Sequence, residues 1–157
     1  IDPKRVYACG FSNGGMMSFG LAHHKSNLIA AVASVSGAML DTEISPTHPM
    51  PVLIIHGTND YIIPYNGSND YNSVESTLNY WMSFNKIESL SKSDTIVNGN
   101  NSVQYFSYGV GENGVSVEHY KINQGGHEWF NLNYEGQNTG ELIWNFFSKY
   151  DIDGLVE

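Results

Sequence analysis

The segment VYACGFSNGG, at residues 6–15, limits the possible folds of this chain more than any other stretch. An apolar run ends at Gly10, Ser12 follows two residues later, and further glycines open a stretch with helical character. The pattern G-x-S-x-G between a strand and a helix predicts a sharp turn that raises the serine hydroxyl above the edge of a sheet. Such a turn predicts a positive φ at Ser12 and no room for a Cβ at Gly10 or Gly14. A plain glycine turn is the alternative interpretation of the same pattern.

The hydrophobic pattern of the whole chain predicts a mostly parallel α/β sheet flanked by helices. The 157 residues are enough for one domain with a core. Strands are expected at residues 6–9, 29–35, 52–56, 103–108 and 115–122, of which the last two form a hairpin. Helices are expected at residues 14–25, 73–86 and 138–150, the last two with Ser73 and Thr139 as caps. Residues 88–101 are predicted to be irregular.

Composition excludes several classes of partner. The formal charge of −9, with only 7 Lys and Arg residues, argues against binding to nucleic acid or to an anionic membrane surface. The single cysteine, Cys9, excludes an internal disulfide and is expected to be buried in the first strand. No His, Cys and carboxylate residues have the spacing of metal ligands, and residues 10–15 lack the Lys-Ser/Thr ending of a phosphate-binding loop. Neither a metal nor a cofactor is therefore expected.

Three polar residues follow predicted strands at the edge where reactive groups collect in such sheets. Ser12 follows the first strand, Asp60 the third and His127 the last, which is the order of the α/β-hydrolase triad. Ser12 Oγ would attack an acyl carbon, His127 would take its proton, and Asp60 would fix the His127 tautomer. The backbone N–H of Asn13 would stabilise the resulting oxyanion.

Each of these roles has a structural alternative. Asp60 could be a turn aspartate that bonds only to its own loop, in which case Asp41 and Asp70 are the reserve acids. His127 could be a structural loop histidine, although the adjacent Gly125 and Gly126 give it room.

The other histidines and the nearby aromatic residues have less specific predictions. His56, at a strand end, is expected to be buried and hydrogen-bonded, and His119 to be partly exposed. The neighbouring His23 and His24 are expected to be exposed at a helix end. Phe11, Tyr65 and Trp129 are candidates for lining a substrate pocket, and ordinary packing explains them equally well.

Three segments together resemble one enzyme group. Residues 6–17, residues 54–60 with the Pro-Tyr pair at 64–65, and the Gly-Gly-His-Glu-Trp loop at 125–129 are similar to polyhydroxybutyrate depolymerase-like proteins and feruloyl esterases, within the α/β-hydrolases. The resemblance implies a triad of Ser12, Asp60 and His127, hydrolysis of carboxylic esters and no cofactor. It also implies secretion or a periplasmic location.

The chain departs from that group in what precedes Ser12. A complete α/β-hydrolase has about four more strands there, including the loop that supplies the second oxyanion N–H. We therefore expect residues 1–157 to be the C-terminal portion of a single α/β-hydrolase domain. The first strand would leave a bare edge, which would pair with the N-terminal half or with a second copy of the chain.

The leading hypothesis for function is a serine esterase that cleaves feruloyl, short-chain or polyhydroxyalkanoate-type esters, including esters of plant cell walls. One alternative is a non-catalytic or weakly active fragment that lacks half of its oxyanion hole. The other is a serine peptidase of the same topology.

Overall fold

The computed structural model describes residues 1–40, 43–98 and 101–156 of the chain, and these form a central sheet with helices on both faces. The six strands of the sheet are β1 (Tyr7–Phe11), β2 (Ala31–Val35), β3 (Val52–Gly57), β4 (Leu90–Asn98), β5 (Asn101–Tyr108) and β6 (Val117–Ile122). The helices are α1 (Asn13–His24), α2 (Val74–Phe84) and α3 (Thr139–Phe147), with a short 3₁₀ turn at Glu112–Gly114. Two small hairpins pair β7 (Asn133–Tyr134) with β8 (Gln137–Asn138) and β9 (Tyr150–Asp151) with β10 (Gly154–Leu155).

The sheet confirms the predicted α/β architecture. Its strand order is β1-β2-β3-β6-β5-β4, in which β1, β2, β3 and β6 run parallel and β5 and β4 run antiparallel. Since parallel strands share one carboxyl edge, the segments that follow β1, β3 and β6 emerge side by side. Within the described residues, β1 is an edge strand and pairs only with β2.

The prediction that residues 88–101 are irregular was wrong, because β4 occupies most of this segment as the second edge of the sheet. It pairs antiparallel with β5 over its whole length, apart from one irregularity near its start. Its central residues, which include Lys92 and Asp94, are polar and exposed. A polar edge strand lacks the apolar alternation by which a strand is recognised, although charge on an edge protects it from unwanted pairing.

The N-terminal caps predicted for the second and third helices had different outcomes. Ser73 caps α2 as expected, since its hydroxyl accepts the backbone N–H of Ser76 at 3.0 Å. The cap of α3 is Asn138 and not Thr139: Asn138 and Glu141 each bond to the other's backbone N–H in a capping box. Thr139 Oγ1 instead accepts from the N–H of Leu132 at 2.9 Å and ties the preceding loop to the helix.

Each face of the sheet has its own core. Along β3, Leu53 and Ile55 pack on the α3 side, and Val52 and Ile54 pack on the side of α1 and α2. The inner face of α3 is buried as predicted, through Leu142, Ile143, Phe146 and Phe147. None of the helices in the described ranges has the length and apolar character needed to cross a bilayer.

Three burial predictions were wrong. His23 is buried, with its Nδ1 at 2.6 Å from the carbonyl oxygen of Ile44, and only His24 is exposed. His119 is 1% exposed, because α2 and Tyr65 cover its side of the sheet. Cys9 is exposed because β1 is an edge strand, where an apolar sequence no longer implies burial on both sides.

Burial of His119 predicts a specific loss of stability in acid. Its Nδ1–H donates to the carbonyl of Ile54 at 3.0 Å, and its Nε2 accepts from Tyr65 at 2.9 Å, so the neutral ring is fully used. Burial lowers the pKa of His119 from 6.5 to about 4. The unfolded chain therefore binds a proton more readily between these values, and stability falls as pH falls through that window.

We expect His119→Gln, which cannot titrate, to lose about 2 kcal/mol less unfolding free energy than the wild type between pH 7 and pH 4.5. Urea unfolding of both proteins at the two pH values measures this difference. An equal loss in both proteins would contradict the assignment.

Candidate active site

Ser12 occupies the sharp turn predicted from its motif. It lies between β1 and α1 with φ 56°, in the left-handed region that non-glycine residues rarely adopt. The backbone holds this geometry from both sides, because the Ser12 N–H donates to Val35 O at 2.8 Å and the Ser12 carbonyl accepts from the N–H of Met16 at 3.1 Å. The side chain thus stands at the N-terminus of α1, where the helix dipole favours negative charge.

The glycine requirement in this turn is partly as predicted. A Cβ on Gly10 would lie 2.6 Å from the Cα of Gly14, so the close approach predicted for Gly10 is present. The prediction for Gly14 was wrong, because a Cβ there would meet nothing within 4 Å. Gly15 is the second crowded position: its Cβ would overlap Ser34 Oγ and lie 3.2 Å from the Cα of Gly37. The helix therefore needs glycine where it packs against the end of β2.

Asp60 follows β3 and is buried together with its loop. One carboxylate oxygen, Oδ1, accepts the backbone N–H groups of Ile62 at 2.9 Å and Ile63 at 2.8 Å. The other oxygen, Oδ2, faces His127. Asp60 is therefore both a turn aspartate and a partner of the histidine, so the two interpretations of this residue are compatible.

Backbone hydrogen bonds tie the loop of Asp60 to the loop of His127. The N–H of Asn59 donates to Gly125 O at 2.9 Å, and the N–H of Gln124 donates to Thr58 Oγ1 at 2.8 Å. A Cβ on Gly57 would lie 2.8 Å from the carbonyl oxygen of Gly126 and would overlap the backbone of the preceding glycine. Glycine at position 57 thus permits the two loops to touch.

These loops bring the three predicted residues into one hydrogen-bonded line, the Ser12–His127–Asp60 line. His127 Nδ1 is 2.8 Å from Asp60 Oδ2, and His127 Nε2 is 2.9 Å from Ser12 Oγ. Since a carboxylate only accepts, Nδ1 carries the proton and Nε2 accepts from the serine hydroxyl. The side chain of His127 is 17% exposed and that of Asp60 is 0% exposed, so water reaches the histidine but not the acid.

The reserve acids do not join this line. Asp70 lies in an exposed turn, where its N–H donates to Ser68 Oγ at 3.2 Å. Asp41 lies outside the described residues.

The three aromatic candidates are placed differently. The ring of Phe11 lies 4.9 Å from the ring of His127, and Trp129, two residues beyond that histidine, is 46% exposed. Tyr65 is directed into a separate cleft, where its hydroxyl pairs with His119 and burial raises its pKa to about 12. Substrate contact stays a prediction for all three residues.

The sequence did not predict two features near the site: an open cleft, and a contact of Asp60 with His56, which is itself buried and hydrogen-bonded as expected. The first is a cleft of about 430 Å³ between α2, β5 and β6, lined by Tyr65, Phe106, Tyr108 and Lys121 among others. The second is His56, whose Nε2 lies 3.4 Å from Asp60 Oδ2. Its spacing of four residues before the acid, at the end of a buried strand, was the available signal.

Among the described residues, no group of three or more His, Cys, Asp or Glu side chains is arranged to hold a metal ion.

Comparison with known families agrees with the observed fold. The sequence model of the phospholipase/carboxylesterase family matches residues 1–106, a stretch that contains both Ser12 and Asp60. The chain belongs to this family. It is thus a member of a hydrolase family with an α/β-hydrolase fold, as the resemblance of its motifs implied.

Individual relatives of this carboxylesterase-family chain are esterases by name. A bifunctional acetylxylan esterase/xylanase of Neocallimastix patriciarum is 32% identical over 99% of the chain and 22% of its own length. Feruloyl esterase B of Piromyces equi is 30% identical over 97% of the chain and 28% of its own length. A putative esterase of Nocardia uniformis is 46% identical over 43% of the chain. The chain thus spans less than a third of these relatives.

The contact between the two loops generates a matched pair of variants. We expect Gly57→Ala to lower the free energy of unfolding by about 1–3 kcal/mol, because its Cβ forces the loop of Asp60 away from the loop of His127. Gly126→Ala is the control, since a Cβ there meets nothing within 4 Å. Urea unfolding of both variants measures the difference, and equal stability of the two would contradict the proposed packing.

Proposed function

We propose that this chain carries the catalytic residues of a serine carboxylesterase, with Ser12 as nucleophile, His127 as general base and Asp60 as the acid that orients it. The observation that carries the proposal is the Ser12–His127–Asp60 line, with distances of 2.9 Å and 2.8 Å at the carboxyl edge of a parallel sheet. Membership of a carboxylesterase family supports the same assignment.

The proposed reaction begins with attack of Ser12 Oγ on the ester carbonyl carbon, while His127 Nε2 takes the hydroxyl proton. The tetrahedral intermediate collapses when His127 delivers that proton to the leaving alkoxide, and the alcohol departs from an acyl-enzyme. Water then repeats the two steps: His127 takes its proton, and Ser12 leaves with that proton as the carboxylic acid forms. Asp60 stabilises the imidazolium that exists in each intermediate.

The backbone N–H of Asn13 is the proposed oxyanion donor. Asn13 is the first residue of α1, and such N–H groups have no acceptor within their own helix. A carbonyl oxygen that becomes negative beside Ser12 would meet this N–H and the positive end of the helix dipole. A weakly active hydrolase is the second candidate function, because Asn13 is the one oxyanion donor identified among the described residues, and a second donor is worth about 10²–10³-fold in rate.

For the substrate class we propose esters of aromatic or short-chain acids attached to polysaccharides. The supporting observations are the names of two relatives, an acetylxylan esterase and a feruloyl esterase. Phe11 lies against the ring of His127, Trp129 is 46% exposed two residues beyond it, and both would contact the acyl group. Secretion follows as part of the proposal, because such polymers lie outside cells. Polyhydroxyalkanoate esters and peptide bonds are the alternative substrates. Their hydrolysis by the same protein and its variants can be measured separately.

Hydrolysis of a short p-nitrophenyl ester tests the nucleophile. We expect Ser12→Ala to lower kcat/KM by roughly 10³-fold or more, and Asp60→Asn to lower it by about 10⁴-fold through loss of the correct His127 tautomer. Asp70→Asn is the matched control, since Asp70 lies in an exposed turn. Equal activity of the wild type and Ser12→Ala would contradict the proposal.

We further propose that the free edge of β1 pairs with another parallel strand from outside the described residues. An unpaired strand edge exposes backbone N–H and C=O groups that can pair with another strand. Within the described residues, β1 has only β2 as a neighbour, so one of its edges is unpaired. Cys9 is exposed on this strand and reports on its edge.

The reactivity of Cys9 toward a thiol reagent, measured with the mass of the particle in solution, tests the pairing. We expect a monomer with a reactive Cys9 for these 157 residues, and a protected Cys9 in a longer chain that contains them. A dimer with a protected Cys9 would assign the edge to a second copy. A Cys9 that reacts fully in both the short and the longer chains would contradict any pairing at this edge.

A further inference from the structure

We propose that His56 is a positioning residue, which fixes the loop of Asp60 so that its carboxylate stays aligned with His127. This inference rests on the proposed function, since it assigns a task to a residue that supports the same site. The imidazole of His56 is 1% exposed and contacts no part of the open surface where a substrate would bind. Its action on the reaction would therefore be indirect, through Asp60.

Two hydrogen bonds through Ile63 join His56 to Asp60. The Nε2 of His56 lies 2.9 Å from the carbonyl oxygen of Ile63. The N–H of the same residue donates to Asp60 Oδ1 at 2.8 Å. Ile63 is thus held at both its polar groups, by His56 on strand β3 and by Asp60 on the loop. The loop cannot turn without breaking one of these two bonds.

His56 also lies close to Oδ2, the other carboxylate oxygen of Asp60. His56 Nε2 lies 3.4 Å from Asp60 Oδ2, the oxygen that accepts from His127 at 2.8 Å. Both neighbours of Nε2, a carbonyl and a carboxylate oxygen, are acceptors, so Nε2 carries the proton. The Nε2–H donates to the Ile63 carbonyl, and its positive end lies close to the buried charge of Asp60, which costs free energy unless donors surround it.

The buried environment of His56 favours the neutral form of its imidazole. Burial lowers its pKa, while the bond to Ile63 and the charge of Asp60 oppose that effect. A second proton would lie on Nδ1, which has no hydrogen-bond partner among the described residues. The other ionisable groups around it are His127, the Tyr65 ring at 5.8 Å, and His119. A neutral donor supports Asp60 without neutralising the charge that His127 needs.

Two substitutions of His56 distinguish a role as hydrogen-bond donor from a role in packing alone. In His56→Gln, the side-chain amide can place an N–H where Nε2–H was, and in His56→Leu the donor is lost. We expect the leucine variant to lower kcat by about 10- to 100-fold, because a small misplacement of a catalytic group has effects of this size. KM should stay unchanged, since neither His56 nor Asp60 touches the substrate. The glutamine variant should retain most of kcat.

Proton NMR provides a readout that does not depend on turnover. The Nδ1–H of His127 gives a downfield resonance only while it is held in the bond to Asp60. We expect this resonance in the wild type and in His56→Gln, and its loss or marked upfield shift in His56→Leu. If the wild type shows the resonance but hydrolyses no ester, the proposed function fails while the positioning role is still decided. An unchanged resonance and an unchanged kcat in folded His56→Leu would overturn the proposal.

A measurement on the wild type covers the case in which the leucine variant does not fold. Nitrogen-15 shifts distinguish the two tautomers of a neutral imidazole. We expect His56 to be neutral with its proton on Nε2 throughout the pH range in which the protein stays folded. A proton on Nδ1, or a charged His56 at pH 7, would overturn the proposal.

Discussion

A carboxylate without exposed surface needs hydrogen-bond donors for both of its oxygens, and the Asp60 site is built around that need. Its Oδ1 accepts two backbone N–H groups of its own loop, and its Oδ2 accepts from His127. Leaving such a charge buried without these donors costs several kcal/mol. The same bonds therefore stabilise the loop and fix the position of His127. Stability and the proposed chemistry depend here on one set of contacts.

The parallel sheet explains why those contacts can form. Its strands deliver Ser12, Asp60 and His127 to one edge, although 115 residues separate the serine from the histidine along the chain. Alignment to hydrogen-bond distance then comes from the loops, through the bond from Asn59 to Gly125 and the absence of a side chain at Gly57. The sheet brings the residues near one another, and the loops set the final few ångströms.

The sequence predicted those features that depend on local chemistry. The strained turn at Ser12, the buried run of β3 and the inner face of α3 follow from glycine spacing and apolar periodicity. It failed where burial is decided by distant neighbours. His119 is covered by an element far away in the chain, and Cys9 is exposed because no strand lies beyond it in the described sheet.

The remaining differences concern features with weak local signals. β4 is an edge strand with a polar sequence, so apolar alternation does not reveal it. It is a strand because it pairs with β5. The tolerance of a Cβ at Gly14 and its exclusion at Gly15 depend on how α1 packs against β2, which the motif alone does not specify. The contact of His56 with Asp60 likewise requires the turn at Ile63, which appears only in three dimensions.

Whether Ser12 is an activated nucleophile decides the proposed function, and covalent labelling answers that question directly. Incubation with an organophosphate, followed by digestion and mass spectrometry, locates the modified residue. We expect one label for each chain, on the peptide that contains Ser12, and little labelling of His127→Ala under the same conditions. Labelling spread over several serines, or an equal rate in His127→Ala, would contradict it.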